Sequence, residues 1–320
     1  MKLDDPLCTD DTIAALFRNF LGALPQAGIE PSRILLQTGA KNYGVHLGPT
    51  RTPHTESDPR VDYMEPNFYY PQEDILFKYC SDHPTTKWNI ICPAWIIGAV
   101  NNAAMNALHP LAVYAAVQAH KNEPLKFPGD INAWLGVGEH STAKLTGYLS
   151  EWAVLEEKCA NQKFNASDTC PLPNNRLWPE LARWYGCSEH TGPELDESKL
   201  TTIDPGDVPT PLGYGPPGKP RFAFTLVQWA QESGNHEAWK EIMKKHQLDD
   251  DPFEGDVEGN FTFGDAAAWA LSLTLSMNKA RYFGWTGHVD TLESLFLAYG
   301  ELNKIGMLPP LVVDKANPLI

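Results

Sequence analysis

Arg33-Ile34-Leu35-Leu36-Gln37-Thr38-Gly39-Ala40-Lys41, and then Trp88-Asn89-Ile90-Ile91-Cys92-Pro93-Ala94-Trp95-Ile96-Ile97-Gly98, are the two stretches on which the reading of this chain turns. Each opens as a short apolar run, near-continuous rather than alternating, as expected of a strand covered on both faces. Between them, Tyr70 to Tyr79 reads as a helix with Glu73 and Asp74 in its early turns, where the dipole favours acids. Strand, helix, strand is a βαβ unit, and a βαβ unit implies a parallel sheet. Upstream, Ile13, Leu16, Phe17, Phe20, Leu21 and Leu24 recur at helical spacing before Pro25 and Gly28. The fold class expected is therefore α/β.

Downstream the pattern changes. Helices are expected at Met105 to Ala119, Ser141 to Glu156, Leu177 to Tyr185, Thr225 to Gln247, Asp265 to Tyr282 and Val289 to Lys304, with short strands at Leu125 to Phe127 and ending at Phe164-Asn165. Residues 187–221 are dense in Pro, Gly and acids and read as a long loop or lid. Two regions follow: 1–104, a Rossmann-like parallel sheet with the catalytic candidates, and 105–320, a mainly helical substrate-binding region.

Composition limits the function. The 320 residues carry a net charge of −15 and are 42% hydrophobic, enough for a substantial core. An acid surplus with no basic run opposes nucleic acid and anionic lipid. No run of apolar residues reaches the ~18 of a membrane span, and the start lacks the bases and long apolar run of a signal peptide. The expectation is a soluble cytoplasmic protein, without nucleic-acid or membrane partners, and compatible with a homo-oligomer. Cys8, Cys80, Cys92, Cys159, Cys170 and Cys187 are irregularly spaced without CxxC, which suggests free thiols and no metal site. The sequons at Asn165 and Asn260 are taken as chance.

No GxGxxG in a strand-turn-helix setting, P-loop, GxSxG or HExxH is present. The informative positions are instead the carboxyl ends of the two strands, where an open α/β sheet binds its ligand: Thr38-Gly39-Ala40-Lys41 and Pro93-Ala94-Trp95-Ile96. Tyr69 opens the connecting helix. A phenol titrates near 10 unless a neighbour shifts it, and Lys41 is a candidate cation to lower that value and ready Tyr69 for a substrate oxygen. The spacing is equally compatible with a Tyr69 that packs and a Lys41 that solvates a loop.

The strings Gln37 to Gly44, Asn67 to Ile75, Trp88 to Gly98 and Met105-Asn106 resemble the progesterone 5β-reductase/iridoid synthase-like group, PRISE, of atypical extended short-chain dehydrogenases. Phe164-Asn165, Phe263-Gly264-Asp265 and Ser276-Met277-Asn278-Lys279 follow in matching order. The resemblance spans about Phe17 to Pro309. It implies an extended Rossmann fold, NADPH as cofactor, and reduction of an activated alkene by hydride addition β to a carbonyl.

Within that resemblance Tyr69 matches the Tyr that bonds the enolate oxygen and Lys41 the Lys that tunes it. Glu73 stands where ordinary relatives have Lys, and Gly39 where they have a catalytic Ser. Thr38, Pro93 and Ile96 fall at cofactor-contact positions, and Trp95, Met105 and Phe263 at substrate-pocket positions, with core packing an equal reading for the last two. Two departures stand out: Cys92 replaces a common Arg, and Trp95 a smaller polar residue. A family member is also expected to carry its glycine fingerprint in preceding βαβ units, whereas here one helix precedes the strand bearing Thr38. Three functions are therefore compared: an NADPH-dependent enone or carbonyl reductase; a cofactor-independent isomerase, cyclase or small-molecule binder; and an inactive, N-terminally truncated form.

Overall fold

The computed structural model describes residues 10–101, 103, 105–269 and 273–319. Strand β1 is Arg33–Gln37, β2 is Lys87–Pro93 and β3 is Trp95–Ile97. Further on, β4 is His140–Thr142 and β5 is Gln162–Ala166. The central sheet is three-stranded and parallel in the order β1-β2-β5. Leu36 pairs with Ile90, and Ile91 with Phe164. The third strand thus comes from the segment at Phe164-Asn165, far along the chain.

Side-chain alternation sends successive residues of the strands to opposite faces. On one face Leu36 and Ile90 pack against Leu21 of helix α1 (Asp10–Gln26) and Leu76 of α2 (Tyr69–Asp82). Only part of the apolar stripe expected on α1 is used, since Leu21 is buried whereas Leu16 and Phe20 are exposed. On the opposite face Ile91 and Phe164 meet Leu149 and Ala153. Both lie on α4 (Ala143–Leu155). Covering both faces is what permits the near-continuous apolar runs of β1 and β2.

The largest core lies in the helical half. It surrounds α3 (His109–Lys121), whose residues from Leu111 to Val117 are all buried, and includes Trp178, Trp184, Trp239 and Tyr299. Helix α5 is Asn174–Tyr185, α6 Ser233–His246, α7 Val257–Trp269 and α8 Thr291–Lys304. The expected helix from Thr225 to Gln247 is broken into Leu226–Ala230 and α6. Thr225 and Gln228 form a reciprocal capping box at the first piece.

The expected helix Asp265 to Tyr282 is corrected more deeply. Its positions 270–272, like Cys8, lie outside the described residues. Leu273 and Leu275 are extended and bridge to Gly138 and His54, and a helix resumes only at Asn278–Tyr282. The cause is legible in the chain: Leu273, Leu275 and Met277 are buried and alternate with Thr274 and Ser276, a period of two. The loop 187–221 holds only brief turns and two-residue strands, Thr201–Thr202 pairing with Arg221–Phe222.

Candidate active site

The carboxyl ends of β1 and β2 meet the first turn of α2. Chain geometry fixes that meeting through Asn67, a residue that motif reasoning passed over. Its Oδ1 accepts from the backbone N–H of Tyr69 at 3.1 Å, and its Nδ2 donates to the Lys41 carbonyl at 2.9 Å. One side chain thereby ties the start of α2 to the loop after β1.

Two neighbouring tyrosines then play different parts. Tyr70 donates its hydroxyl to the Asn42 carbonyl at 2.8 Å and accepts from the Val61 N–H at 3.1 Å, so it fastens the loop. Tyr69 is half-buried, and its hydroxyl has no hydrogen-bond partner among the described residues. It points at Gly39: a Cβ at residue 39 would lie 3.0 Å from Tyr69 Oη and 3.7 Å from the Pro93 carbonyl oxygen. Gly39 therefore leaves the space the phenol occupies. The sequence leads one to expect a Tyr69 pKa lowered by Lys41; instead burial, and secondarily Cys92, raises it, which keeps the hydroxyl protonated and able to donate.

Thr38 lies beneath, buried, its Oγ1 3.0 Å from Cys92 Sγ. Burial raises the Cys92 thiol, so this cysteine is a packed neutral group. Lys41 lies on a short 3-10 turn, Ala40–Tyr43, with an exposed side chain. No hydrogen bond or ion pair joins its ammonium to Tyr69 or to any other described residue. Its charge is felt at His46, which burial first and Lys41 second hold below the usual histidine value.

Glu73, four residues after Tyr69, is nearly buried and anchors a network. Its Oε1 accepts from Lys163 Nζ at 3.0 Å and from Asn42 Nδ2 at 2.7 Å; its Oε2 accepts from Arg60 Nη2 at 2.9 Å. Lys163 also donates to Asn42 Oδ1 at 2.9 Å. The cation thus stands on β5 and the carboxylate on α2. Tyr43 donates to Asn165 Oδ1, whose amide donates to the His54 and Ser276 carbonyls. Asn165 is fully buried, so this sequon is a structural asparagine in the folded chain.

Past Pro93 the chain turns into β3. Ala94 N donates to Ser141 Oγ at 2.8 Å, and Ser141 Oγ donates to the Ala166 carbonyl at 2.8 Å, pinning β3 beside β4. Trp95, aligned with His140 across the parallel pair, lines a narrow cavity of about 40 Å³ with Leu108, Leu111, Leu172 and Leu177. Of the other candidates, Ile96 and Met105 are exposed and Phe263 half-buried on α7; none of these three lines that cavity. Elsewhere, His236 bonds Asp251 at 3.0 Å and stacks on Phe253, an arrangement that explains it by packing.

A parallel sheet covered by helices on both faces, with its candidate site outside the carboxyl ends of the strands, is a Rossmann-type arrangement. The model of the PRISE-like Rossmann-fold domain matches residues 4–200, and the chain belongs to that family. It is 30% identical to an uncharacterised protein of Schizosaccharomyces pombe over 92% of this chain and 75% of that one. It is 30% identical to the (S)-8-oxocitronellyl enol synthase CYC2 of Camptotheca acuminata, over 92% and 69%. With the 3-oxo-Delta(4,5)-steroid 5-beta-reductase of Arabidopsis thaliana the identity is 31%, over 88% and 65%. Among solved structures, Bordetella bronchiseptica WbmG in complex with NAD shares the fold, with a TM-score of 0.54 at 13% identity over 96% of this chain and 70% of that one.

Proposed function

We propose that this protein is an NADPH-dependent reductase of an activated alkene, an enone, or of a carbonyl in small-molecule metabolism. The observation that carries the reading is the free, protonated Tyr69 hydroxyl at the carboxyl ends of β1 and β2. Membership in a family with reductase and enol-synthase relatives supports it.

The strand ends fit the reactive end of a nicotinamide cofactor. Gly39 offers a bare backbone there, with the Tyr69 hydroxyl and the Pro93 carbonyl both close to where a side chain at 39 would begin. Thr38, Pro93 and Ile96 would hold that end, and bound NADPH would supply the hydride.

The chain's own residues do the rest. A substrate carbonyl oxygen accepts the Tyr69 hydroxyl proton as a hydrogen bond. As the β carbon is reduced, negative charge gathers on that oxygen and the bond strengthens, a contribution of about 10²–10⁴-fold for a well-placed acid. Lys41, at the exposed rim, is the cation that meets this oxygen once a substrate carries charge toward it. Asn67 holds the two loops in register, and Trp95, with Met105 and Phe263 nearer the outside, bounds the substrate.

Incubation with 3-octen-2-one and NADPH carrying deuterium at the transferable position tests the reading. The expected product is 2-octanone with deuterium at C4, formed only when the nicotinamide is present. Absence of label at both C4 and the carbonyl carbon C2, or equal consumption of the enone without NADPH, would overturn it.

A further inference from the structure

The long loop 187–221 has no part in the proposed reaction, yet its far end reaches the turn that carries Lys41. The base of the loop is fixed. Thr201–Thr202 pairs with Arg221–Phe222, the Ile203 N–H donates to the Pro220 carbonyl at 2.9 Å, and Arg221 Nε donates to Asp130 Oδ2 at 3.0 Å. Residues 203–220 therefore leave and return at one place. Residues 203–209 are exposed and 212–220 are half-buried or exposed; between them only Thr210 and Pro211 are buried. Thr210 Oγ1 shares its proton between the Tyr214 and Gly215 carbonyls, closing the tip on itself.

The tip sits on Gly44. A Cβ at residue 44 would lie 3.3 Å from Pro211 Cγ and 2.8 Å from Val61 Cγ2, and its φ is +75°, so a bare, left-handed glycine is what lets both side chains approach. The Gly44 N–H donates to the Lys41 carbonyl at 3.0 Å and closes the turn Ala40–Tyr43. At the other end of that turn the Asn42 N–H donates at 2.9 Å to the carbonyl of Gly39, the residue at which the Tyr69 hydroxyl points. Pro211, Gly44, the Lys41 turn and Gly39 thus follow one another without a break from the loop tip to the phenol.

The tip is held lightly. Tyr63 Oη accepts the Leu212 N–H at 3.0 Å and Tyr214 Oη accepts from Arg51 Nε at 3.2 Å, but Tyr63 is 65% exposed and both bonds compete with water. Leu212 is held at φ +57°, a left-handed conformation that strains a residue with a side chain and relaxes when the tip lifts. Few buried contacts and solvent-facing bonds mark the segments that open locally while the rest of a fold stays closed.

We propose that residues 203–220 form a lid whose seating and the ordering of the Lys41 turn are one equilibrium: with Pro211 on Gly44 the turn is held in place, and with the tip lifted Lys41 and the loop after it are released together. The device regulates the site already described and rests on the reading of Lys41 and Tyr69 as the groups that meet the substrate oxygen. Opening of this kind breaks no bond of the central sheet, so it is local.

Amide hydrogen exchange, followed by two-dimensional NMR on the full chain with no ligand added, tests the coupling. The reporters are the Leu212 amide at the latch, the Gly44 amide at the seat and the Thr38 amide, which donates to the Ile91 carbonyl within the sheet. Tyr63→Phe removes the latch acceptor from an exposed side chain and should keep the melting temperature. Exchange at Gly44 should quicken about 5-fold, the share of one neutral hydrogen bond, with Leu212 quickening at least as much and Thr38 unchanged. An acceleration confined to Leu212, one shared by Thr38, or none at all would overturn the proposal. The measurement needs no turnover. Coupled exchange in a protein that reduces no enone would remove the redox reading and keep the lid; enone reduction with Gly44 unmoved would do the reverse.

Discussion

At the scale of single residues, the site turns on which polar atoms are spent and which are free. Tyr70 serves two backbone groups and Tyr69 none, although they are neighbours in sequence. Gly39 makes the difference usable. Gly39→Ala places a methyl 3.0 Å from the Tyr69 oxygen, pushing the hydroxyl aside. Relieving that contact takes a shift of a few tenths of an ångström, and with about 100-fold lost per 1 Å of misplacement a loss of up to about 10-fold in kcat/KM is expected. The expected variant keeps its melting temperature and loses rate; full activity in Gly39→Ala would show that Tyr69 has no fixed position to protect. Sequence showed Tyr69, Gly39, Thr38 and Trp95 because they sit at strand ends and a helix start, places that topology alone marks. It gave no sign of the part Asn67 plays, which depends on the two backbone groups its amide joins after folding.

At the scale of elements, α2 is strapped to β5 by Glu73 with Lys163, and to the loop after β1 by Glu73 with Asn42 and Arg60. Glu73 is only 4% exposed in its side chain, so its removal leaves the mostly buried Lys163 short of a countercharge. Glu73→Gln is expected to destabilise by about 2–4 kcal/mol in urea titration, in line with broken buried pairs. Glu73→Lys, which restores the ordinary spacing of four from Tyr69, places three cations together and should cost more. A Glu73→Lys protein as stable as the unaltered one would contradict the strap. The spacing made the absence of Lys at 73 visible; Lys163, 90 residues away, could be matched to it only in three dimensions. Elements were legible where periodicity was clean, as in β1 and β2. At 273–277 the helical flanks mask a two-residue alternation, and Leu273 and Leu275 are extended rather than helical.

At the scale of the whole molecule, buried ionisable groups set opposing slopes of stability with pH. His140, pushed to about 4 by burial, binds a proton in the unfolded chain but not in the folded one between about 4 and its ordinary 6.5. That contribution is complete above 6.5 and is lost as pH falls. Asp168 accepts from the Thr142 N–H just before α4, and Asp265 caps the helix Leu226–Ala230 through two N–H groups. Burial outweighs those bonds and pushes both carboxyls to about 6. Each contributes stability that is complete below the ordinary carboxylate value and is lost as pH rises through 6. His140→Leu should therefore expose a melting temperature that falls from pH 4.5 to 6.5, and Asp168→Asn with Asp265→Asn one that rises; the same slope in both variants would refute these assignments. No helix among the described residues is long and apolar enough to cross a membrane. The most direct measurement is kcat/KM for NADPH-dependent reduction of 3-octen-2-one by Tyr69→Phe. A loss of about 100-fold or more with an unchanged melting temperature is predicted; turnover equal to that of the unaltered protein would contradict the account.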